Sequence, residues 1–186
     1  MSSDVIRTFD AGVFLGIDPG LSGALAAVGA RGEVRYLRPM PVLQTKVGRS
    51  TRHVYDHHEL RVCAAKLHAT GVVSAVIERQ QAMPQQGVTS MVTVGYGAGC
   101  LAQLLVDHDI RHEVVGPQVW QKVFSIRGGQ KATTTTKDQA RKVALDLFPS
   151  LQAEMESAGY NKAQQGGVVD AVLIAEYARR RFDGEV

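Results

Sequence analysis

The sequence contains very little cysteine. Its 186 residues include two cysteines, Cys63 and Cys100, and neither has the neighbours or the spacing of a metal ligand. This scarcity excludes a disulfide framework and a cysteine-rich zinc site. We therefore expect both cysteines to be small core residues in a reducing compartment.

Long apolar runs are also missing. The first residues, MSSDVIRTFDAG, lack the apolar run of a signal peptide, and no stretch approaches the roughly eighteen apolar residues of a membrane span. We expect a soluble, intracellular protein with no membrane partner, in a bacterial or phage cytoplasm or in an organelle matrix after removal of a transit peptide. With 45% apolar residues, the chain has enough material for one core, so residues 1–186 are predicted to form a single domain.

The formal net charge is only +3, but the basic residues are unevenly distributed. From Arg127 to Lys142 there are five basic residues and one acid. The basic residues are Arg127, Lys131, Lys137, Arg141 and Lys142. An exposed basic helix is often just a solvated surface. We favour phosphate binding, because the glycines and threonines of this segment, Thr135 among them, supply further donors for phosphate oxygens.

The hydrophobic pattern predicts an α/β fold. Strands are expected at 12–18, 23–29 and 33–38, followed by a loop from 39 to about 52, a helix ending near 71 and a fourth strand at 72–78. A glycine-rich helix at 87–107, a fifth strand at 111–117 and a short helix from Pro117 come next. Two more helices are predicted at 137–148 and 168–182. This order is compatible with a ribonuclease H-like mixed five-stranded sheet flanked by helices.

Three acids stand at the ends of predicted elements. Asp18 ends the first strand, Glu78 ends the fourth, and Asp170 falls in the first turn of the last predicted helix. Each has an ordinary alternative: Asp18 as a turn starter before Pro-Gly, Glu78 as a solvated strand end, and Asp170 as a complement to the helix dipole. Together they suggest a site for hard divalent cations, which can activate water for phosphodiester hydrolysis.

A series of short motifs then resembles the RuvC family of Holliday junction resolvases. In order they are FLGIDPGLSGALA, AVIERQQAMPQQG, GYGAG, GPQVWQK, TKDQARKVALDLFP and VDAVLIAEYARR. They run from about Val13 to Arg181, and the later ones look closest to the plant chloroplast branch of that family.

The resemblance implies a homodimer that makes paired nicks in four-way junction DNA with Mg²⁺. Two ions are expected per active site, and Mn²⁺ is expected to substitute. Asp18, Glu78 and Asp170 would be catalytic metal ligands, and Lys137 would lie close to the scissile phosphate.

The resemblance also implies DNA contacts. The segment RQQAMPQQG would enter the centre of the junction, where Met83 either wedges between unstacked bases or anchors the loop on the core. The residues expected to contact DNA are Arg79, Gln80, Met83, Arg127, Lys131, Thr135, Lys137 and Arg141.

One departure from the family pattern concerns the residues before Asp170. Family members carry a His or Asp three to five residues earlier, whereas this chain has Gln165, Gly166 and Gly167. Either waters and Gln165 complete the coordination, or the chain is a junction-binding protein with weak or no cleavage.

The type of nuclease and the mode of assembly each have a second interpretation. A non-specific ribonuclease H is the nearest enzymatic rival, since it would cut RNA in a hybrid duplex and need not dimerise. Paired cleavage requires two active sites related by a two-fold axis. The glycine-rich helix at 87–107 is a candidate dimer face, and close packing on its own sheet is equally compatible with its glycines.

Overall fold

The structure is a computed structural model that describes residues 12–81, 87–128 and 134–186. The strands in these ranges are β1 (Val13–Asp18), β2 (Ala24–Gly29), β3 (Val34–Pro39), β4 (Val42–Val47), β5 (Ser50–Tyr55), β6 (Val72–Glu78) and β7 (Arg111–Val115). The helices are α1 (His57–Ala69), α2 (Val88–Asp107), α3 (Pro117–Val123), α4 (Thr136–Leu147), α5 (Leu151–Ser157) and α6 (Lys162–Phe182).

Five of the strands form one mixed sheet in the order β3-β2-β1-β6-β7. The strands β1, β2 and β3 pair antiparallel, whereas β6 pairs parallel with β1 and β7 pairs parallel with β6. The prediction of a ribonuclease H-like mixed five-stranded sheet flanked by helices is confirmed. The central strand is apolar on both faces because helices cover both sides of the sheet.

Alternate residues of β1 and β6 enter two separate cores, as the period of a strand requires. Phe14 and Val76 pack into the core beneath α3, α4, α5 and α6. Leu15, Ile17 and Ile77 face the opposite side and pack with α1 and α2. We call these the α6 face and the α2 face of the sheet.

Three sequence expectations about the elements are wrong. The predicted loop at 39–52 contains most of an antiparallel hairpin, β4 and β5. A further helix, α5, fills part of the segment between the last two predicted helices. The final helix begins at Lys162 rather than 168, because Asn161 forms a capping box with Gln164. Gly166 and Gly167, which disfavour a helix by propensity, are therefore inside it.

Helix α2 departs from the expectation that no segment has the character of a membrane span. In the described part of the chain it is the one helix whose length and composition meet that description, with a mean hydropathy of 1.3. Uncharged polar residues interrupt every apolar run of this helix, so the sequence shows no long apolar stretch here. These residues lower the mean hydropathy of the helix only slightly. Only 17% of that window is buried within the chain.

Candidate functional site

Two of the three predicted acids lie side by side at the carboxyl end of the central strands. Ile17 of β1 is in register with Ile77 of the parallel strand β6, so Asp18 and Glu78 follow as the next pair. Because both isoleucines face α2, the alternation of the strand directs the two carboxylates to the α6 face. Neighbouring strands are about 4.8 Å apart, which makes these acids direct neighbours.

The third acid reaches them because α6 crosses β1 very closely at Gly16. A Cβ atom at Gly16 would stand 2.2 Å from both the carbonyl oxygen of Ala171 and the amide nitrogen of Ala175. No other residue type permits that approach. Gly16 lies on the same face as Asp18, two residues earlier, so this contact brings Asp170 over the carboxyl end of β1.

A second glycine holds the start of α6 against the turn after Asp18. A Cβ atom at Gly167 would stand 2.2 Å from the carbonyl oxygen of Ser22. Its neighbour differs, since a Cβ at Gly166 meets no heavy atom within 4 Å in the described part of the chain, and Gly166 lines the open cleft beside Asp170. Packing against this turn therefore requires a glycine at position 167, which excludes a side-chain ligand there. At position 166, packing among the described residues does not require a glycine.

Asp170 itself is more than two turns inside α6, which begins at Lys162. The alternative that it complements the helix dipole is therefore excluded, because that effect is confined to the first turn.

Burial raises the pKa of all three carboxyls. For Glu78 desolvation and then the charges of Asp18 and Asp170 raise the pKa to about 8. For Asp170 desolvation and then Asp18 raise the pKa to about 7, against the opposing effect of Lys137. Desolvation also raises the pKa of Asp18, although the Gly20 amide and Lys137 oppose it. The three acids thus share one electrostatic environment that resists full ionisation.

A cleft of about 600 Å³ opens beside this cluster. Asp18 and Asp170 form part of one wall, and Lys137, Arg141 and Lys162 add positive charge to its lining. Lys137 lies in the first turn of α4, whose N-cap is Thr135. The cleft therefore combines buried acids with basic side chains in one lining, an arrangement compatible with a phosphodiester.

Trp120 of α3 lies against Glu78. The indole is 1% exposed, and its Nε1 makes no hydrogen bond of ordinary geometry to any residue in the described ranges. It is still close enough to the Glu78 carboxyl to lower that pKa slightly. A buried N–H without a partner is costly, so the indole is available to orient Glu78.

The residues predicted to contact DNA are distributed over several segments. Arg79 is exposed just after Glu78, where its amide donates to the carbonyl of Val115. Gln80 is half-buried beside it. Arg127 is exposed. Its backbone amide donates to the side chain of Gln139 in α4, and that side chain donates to the Arg127 carbonyl.

The remaining predicted contacts have partners within the chain or are not described. Thr135 caps α4 through its hydroxyl, which accepts from the Asp138 amide and donates to the Asp138 carboxylate. Arg141 donates to Gln152 and, at 3.3 Å, to Gln165. Met83 and Lys131 lie outside the described residues.

Both polar atoms of the Gln165 side chain have hydrogen-bond partners within the chain. The side-chain oxygen of Gln165 accepts a hydrogen bond from Arg141. The side-chain amide nitrogen of Gln165 donates to the backbone carbonyl of Tyr160 at 2.8 Å. The suggestion that Gln165 completes the metal coordination is not supported by these contacts.

Sequence reasoning misses three contributors to this site. The pattern places Trp120 only within a short helix, and it leaves Lys162 outside the last predicted helix. A signal for Lys162 exists, since Asn161 followed by Gln164 is a capping-box pattern. The role of Gly16 follows only from the approach of α6.

The donor set suits a hard divalent cation. Asp18, Glu78 and Asp170 offer only carboxylate oxygens, the ligands Mg²⁺ prefers, and a bound cation would compensate the burial of their charge. In the described part of the chain, no group of three His, Cys, Asp or Glu side chains lies close enough together to hold one metal ion. The metal site therefore remains a prediction.

Comparisons with known proteins identify the fold. No protein-family model and no curated protein matches this sequence. Among solved structures, the chain is similar to Thermus thermophilus RuvC, with a TM-score of 0.54 and 15% identity over 92% of this chain and 96% of that one. It is also similar to T. thermophilus RuvC in complex with a Holliday junction substrate, with a TM-score of 0.55 and 15% identity over 94% and 95% of the two chains. The chain thus has a RuvC-like fold, whereas the likeness to the plant chloroplast branch stays a prediction.

Proposed function

We propose that residues 1–186 form a single nuclease domain that resolves four-way (Holliday) DNA junctions by paired, metal-dependent phosphodiester hydrolysis. The observation that carries the proposal is the cluster of Asp18, Glu78 and Asp170 beside a cleft lined by Lys137. The RuvC-like fold supports it, and one solved neighbour is in complex with a Holliday junction substrate.

Each residue of the cluster has a separate task. Asp18, Glu78 and Asp170 would hold Mg²⁺ or Mn²⁺, and a pair of such ions would supply the chemistry that activates water and stabilises a leaving oxygen. Trp120 orients the Glu78 carboxylate. Lys137 contacts the scissile phosphate and stabilises the negative charge that develops there.

The basic residues around the cleft position the DNA strand. Arg141 and Lys162 line the cleft with Lys137, and Arg127 lies exposed near the start of α4. Lys131 and Thr135 belong to the same phosphate-binding segment. Arg79, Gln80 and Met83 follow Glu78 and are assigned to the unstacked centre of the junction.

Pairing of the two nicks requires a homodimer, for which α2 is the proposed interface. Val88 is 72% exposed and Val92 65% exposed on its outer face. Among the described residues, a Cβ at Gly95 or Gly99 would meet no atom within 4 Å, whereas a Cβ at Gly97 would clash with Tyr55. Close packing within the chain therefore explains Gly97, and contact with a second copy is the proposed reason for Gly95 and Gly99.

A junction-binding protein with little or no cleavage is the second candidate. The observation in its favour is Gly166, which leaves open space where the resembled family has a His or Asp. In this alternative the cleft binds the junction but holds its cations too weakly for efficient hydrolysis.

Nicking of a synthetic four-way junction in Mg²⁺ or Mn²⁺ tests both candidates. The proposed nuclease cuts two opposing strands, and Asp18→Asn abolishes cutting while binding is nearly unchanged, since phosphate contacts carry most of the affinity. No nicking by the wild-type chain, with nicking restored by Gly166→Asp, would identify the binding protein. Preferential cutting of an RNA–DNA hybrid would instead favour a ribonuclease H.

Lys137→Ala separates catalysis from binding. Loss of one contact that stabilises transition-state charge costs about 3 kcal/mol, or roughly 100-fold in the rate of nicking. The rate at saturating junction is the measurement. A loss of affinity at an unchanged rate would make Lys137 a positioning contact only.

A further inference from the structure

The hairpin of β4 and β5, residues 42–55, is exposed on both faces along its outer part, whereas Tyr55 at its root is buried. Every residue from 48 to 53 is exposed, as are Leu43 and Lys46 on the opposite strand. A two-stranded ribbon without a covering layer is marginally stable by itself. This hairpin arm therefore depends on its root, and its outer part is available for a partner.

The charge of the hairpin arm has one sign. Its sequence, VLQTKVGRSTRHVY, carries Lys46, Arg49 and Arg52 and no acid, so it contributes three positive charges, as many as the net charge of the whole chain. Within the described ranges none of the three makes an ion pair. Unpaired cations on an exposed ribbon fit a polyanion.

The root of the hairpin arm is bonded to the turn that carries Asp18. The Tyr55 hydroxyl donates to the carbonyl oxygen of Pro19 at 2.6 Å. Met40, just before β4, donates its amide to the carbonyl of Gly23 at 2.8 Å. The arm therefore starts at the edge of the acidic cleft, and six-residue strands extend it by about 20 Å.

Lys46 and Arg52 point to opposite faces of the arm. Lys46 pairs with Thr51 and Arg52 pairs with Thr45, and adjacent cross-strand pairs face opposite sides of a ribbon. Arg49 lies at the tip, beside Gly48 with φ +63°, as in a two-residue hairpin turn. A ribbon charged on both faces suits a groove with a phosphate backbone on either side, and the DNA major groove admits a two-stranded ribbon.

We infer that the hairpin arm enters the major groove of the duplex next to the cleft, with Lys46 and Arg52 on the two phosphate backbones. The inference rests on the DNA partner of the proposed function but not on cleavage. A length of about 20 Å corresponds to roughly six base pairs of duplex, so the arm contacts DNA within that distance of the nicking site.

The test compares two variants of the full chain with the same change in charge. Lys46→Thr/Arg52→Thr removes the two cations from the arm. Arg61→Ala/Lys66→Ala removes one arginine and one lysine from the exposed surface of α1. Binding of labelled four-way junction is titrated at several salt concentrations, with Ca²⁺ in place of Mg²⁺ so that no cutting is needed. Dimethyl sulfate protection then reports guanine N7, an atom of the major groove.

The arm variant is expected to bind roughly 10-fold or more weakly at 0.1 M salt, with a salt slope smaller by about 2, because two phosphate contacts are lost. It is also expected to lose the N7 protection that the wild type gives within about six base pairs of the junction centre. The α1 variant keeps all three properties.

Two results would overturn the inference. Equal losses in both variants, or none in either, would remove DNA as the partner of the arm and leave an acidic protein surface as the alternative. Weaker binding without any N7 protection in the wild type would overturn the groove assignment. Failure of the wild type to nick DNA would count against the proposed function alone, since the binding comparison is independent of cleavage.

Discussion

The two longest helices of this protein cover opposite faces of the sheet and are used in opposite ways. Helix α2 has one charged residue among 20, and α6 has six among 21. Yet eleven residues of α6 are buried and only three of α2. The more apolar helix is therefore the more exposed one.

The difference in burial follows from the elements against which each helix packs. Helix α6 crosses β1 at Gly16 with backbone contact, and even Glu176 is buried there, paired with Arg179 and Arg180. Helix α2 touches the rest of the chain mainly through Gly97, Leu101 and Leu105. Its outer valines remain uncovered. Helix α6 thus contributes to the candidate site within one chain, whereas the proposed role of α2 is assembly.

The largest difference between the helices is expected in catalysis. Asp170→Asn in α6 should reduce junction nicking by about 10³-fold or more, because it removes a predicted metal ligand. Asp107→Asn in α2 removes an acid that bonds only Gln103 in the described structure and should leave nicking unchanged. Single-turnover rates of the two variants check this. Similar nicking rates for the two variants would contradict the assignment of Asp170 to the active site.

The next largest effect is expected in stability. Gly167→Ala should lower the free energy of unfolding by about 2–3 kcal/mol, because its Cβ meets backbone atoms of Ser22 and Gly23. Gly166→Ala should raise it by up to about 1 kcal/mol, since alanine favours the helix and the site is open. Urea unfolding of both variants measures the difference. Equal effects would show that α6 does not pack on that turn as described.

The proposed role of α2 predicts a loss of self-association. Val92→Glu, on a residue 65% exposed, should weaken the dimer at least about 10-fold, since a charge would be buried in the interface. Val119→Glu, on a residue 48% exposed in α3, is the matched control. Sedimentation of both variants measures the change. A monomeric wild type that instead sediments with lipid vesicles would contradict the dimer.

The last comparison concerns pH without metal. The folded pKa of Glu78 is raised from 4.5 to about 8 and that of Asp170 from 3.8 to about 7. Below about pH 3 these carboxyls are largely protonated in the folded and unfolded states, so their contribution to stability is fully present. As pH rises to 8 the unfolded chain ionises first, and stability is lost progressively.

Thermal unfolding in a chelator should therefore show a midpoint that falls by several degrees between about pH 5 and 8. Mg²⁺ should restore it at pH 8 by binding the ionised acids, and Asp170→Asn should flatten the profile. Asp107→Asn is the control and should follow the wild type. A wild-type midpoint that does not change over this range would contradict the raised pKa values.

Local patterns predict most of the sheet and the positions of two acids. The apolar runs before Asp18 and Glu78 are strands because their side chains fill two cores, and parallel neighbours place their ends together. The start of α6 is also signalled locally, by Asn161 and Gln164, but the low helix propensity of two glycines favours a later start than the cap allows.

The hairpin arm escapes prediction because it has no buried face. Alternation of apolar and polar residues marks a strand only when one side is covered, whereas β4 and β5 have exposed residues on both sides, apolar Leu43 among them. The two-residue turn at Gly48 is the remaining signal.

The sequence by itself determined the order of the five strands of the main sheet and which acids are candidates to bind a cation, since both depend on residue type and short spacing. Only the tertiary structure decided that Asp170 meets Asp18, that Gly167 must be glycine and Gly166 need not be, and that the apolar helix α2 is the exposed one. Each of these depends on the distance between segments far apart in the chain, such as Gly16 and Ala171. Such a distance is set by packing of the whole core rather than by local preference.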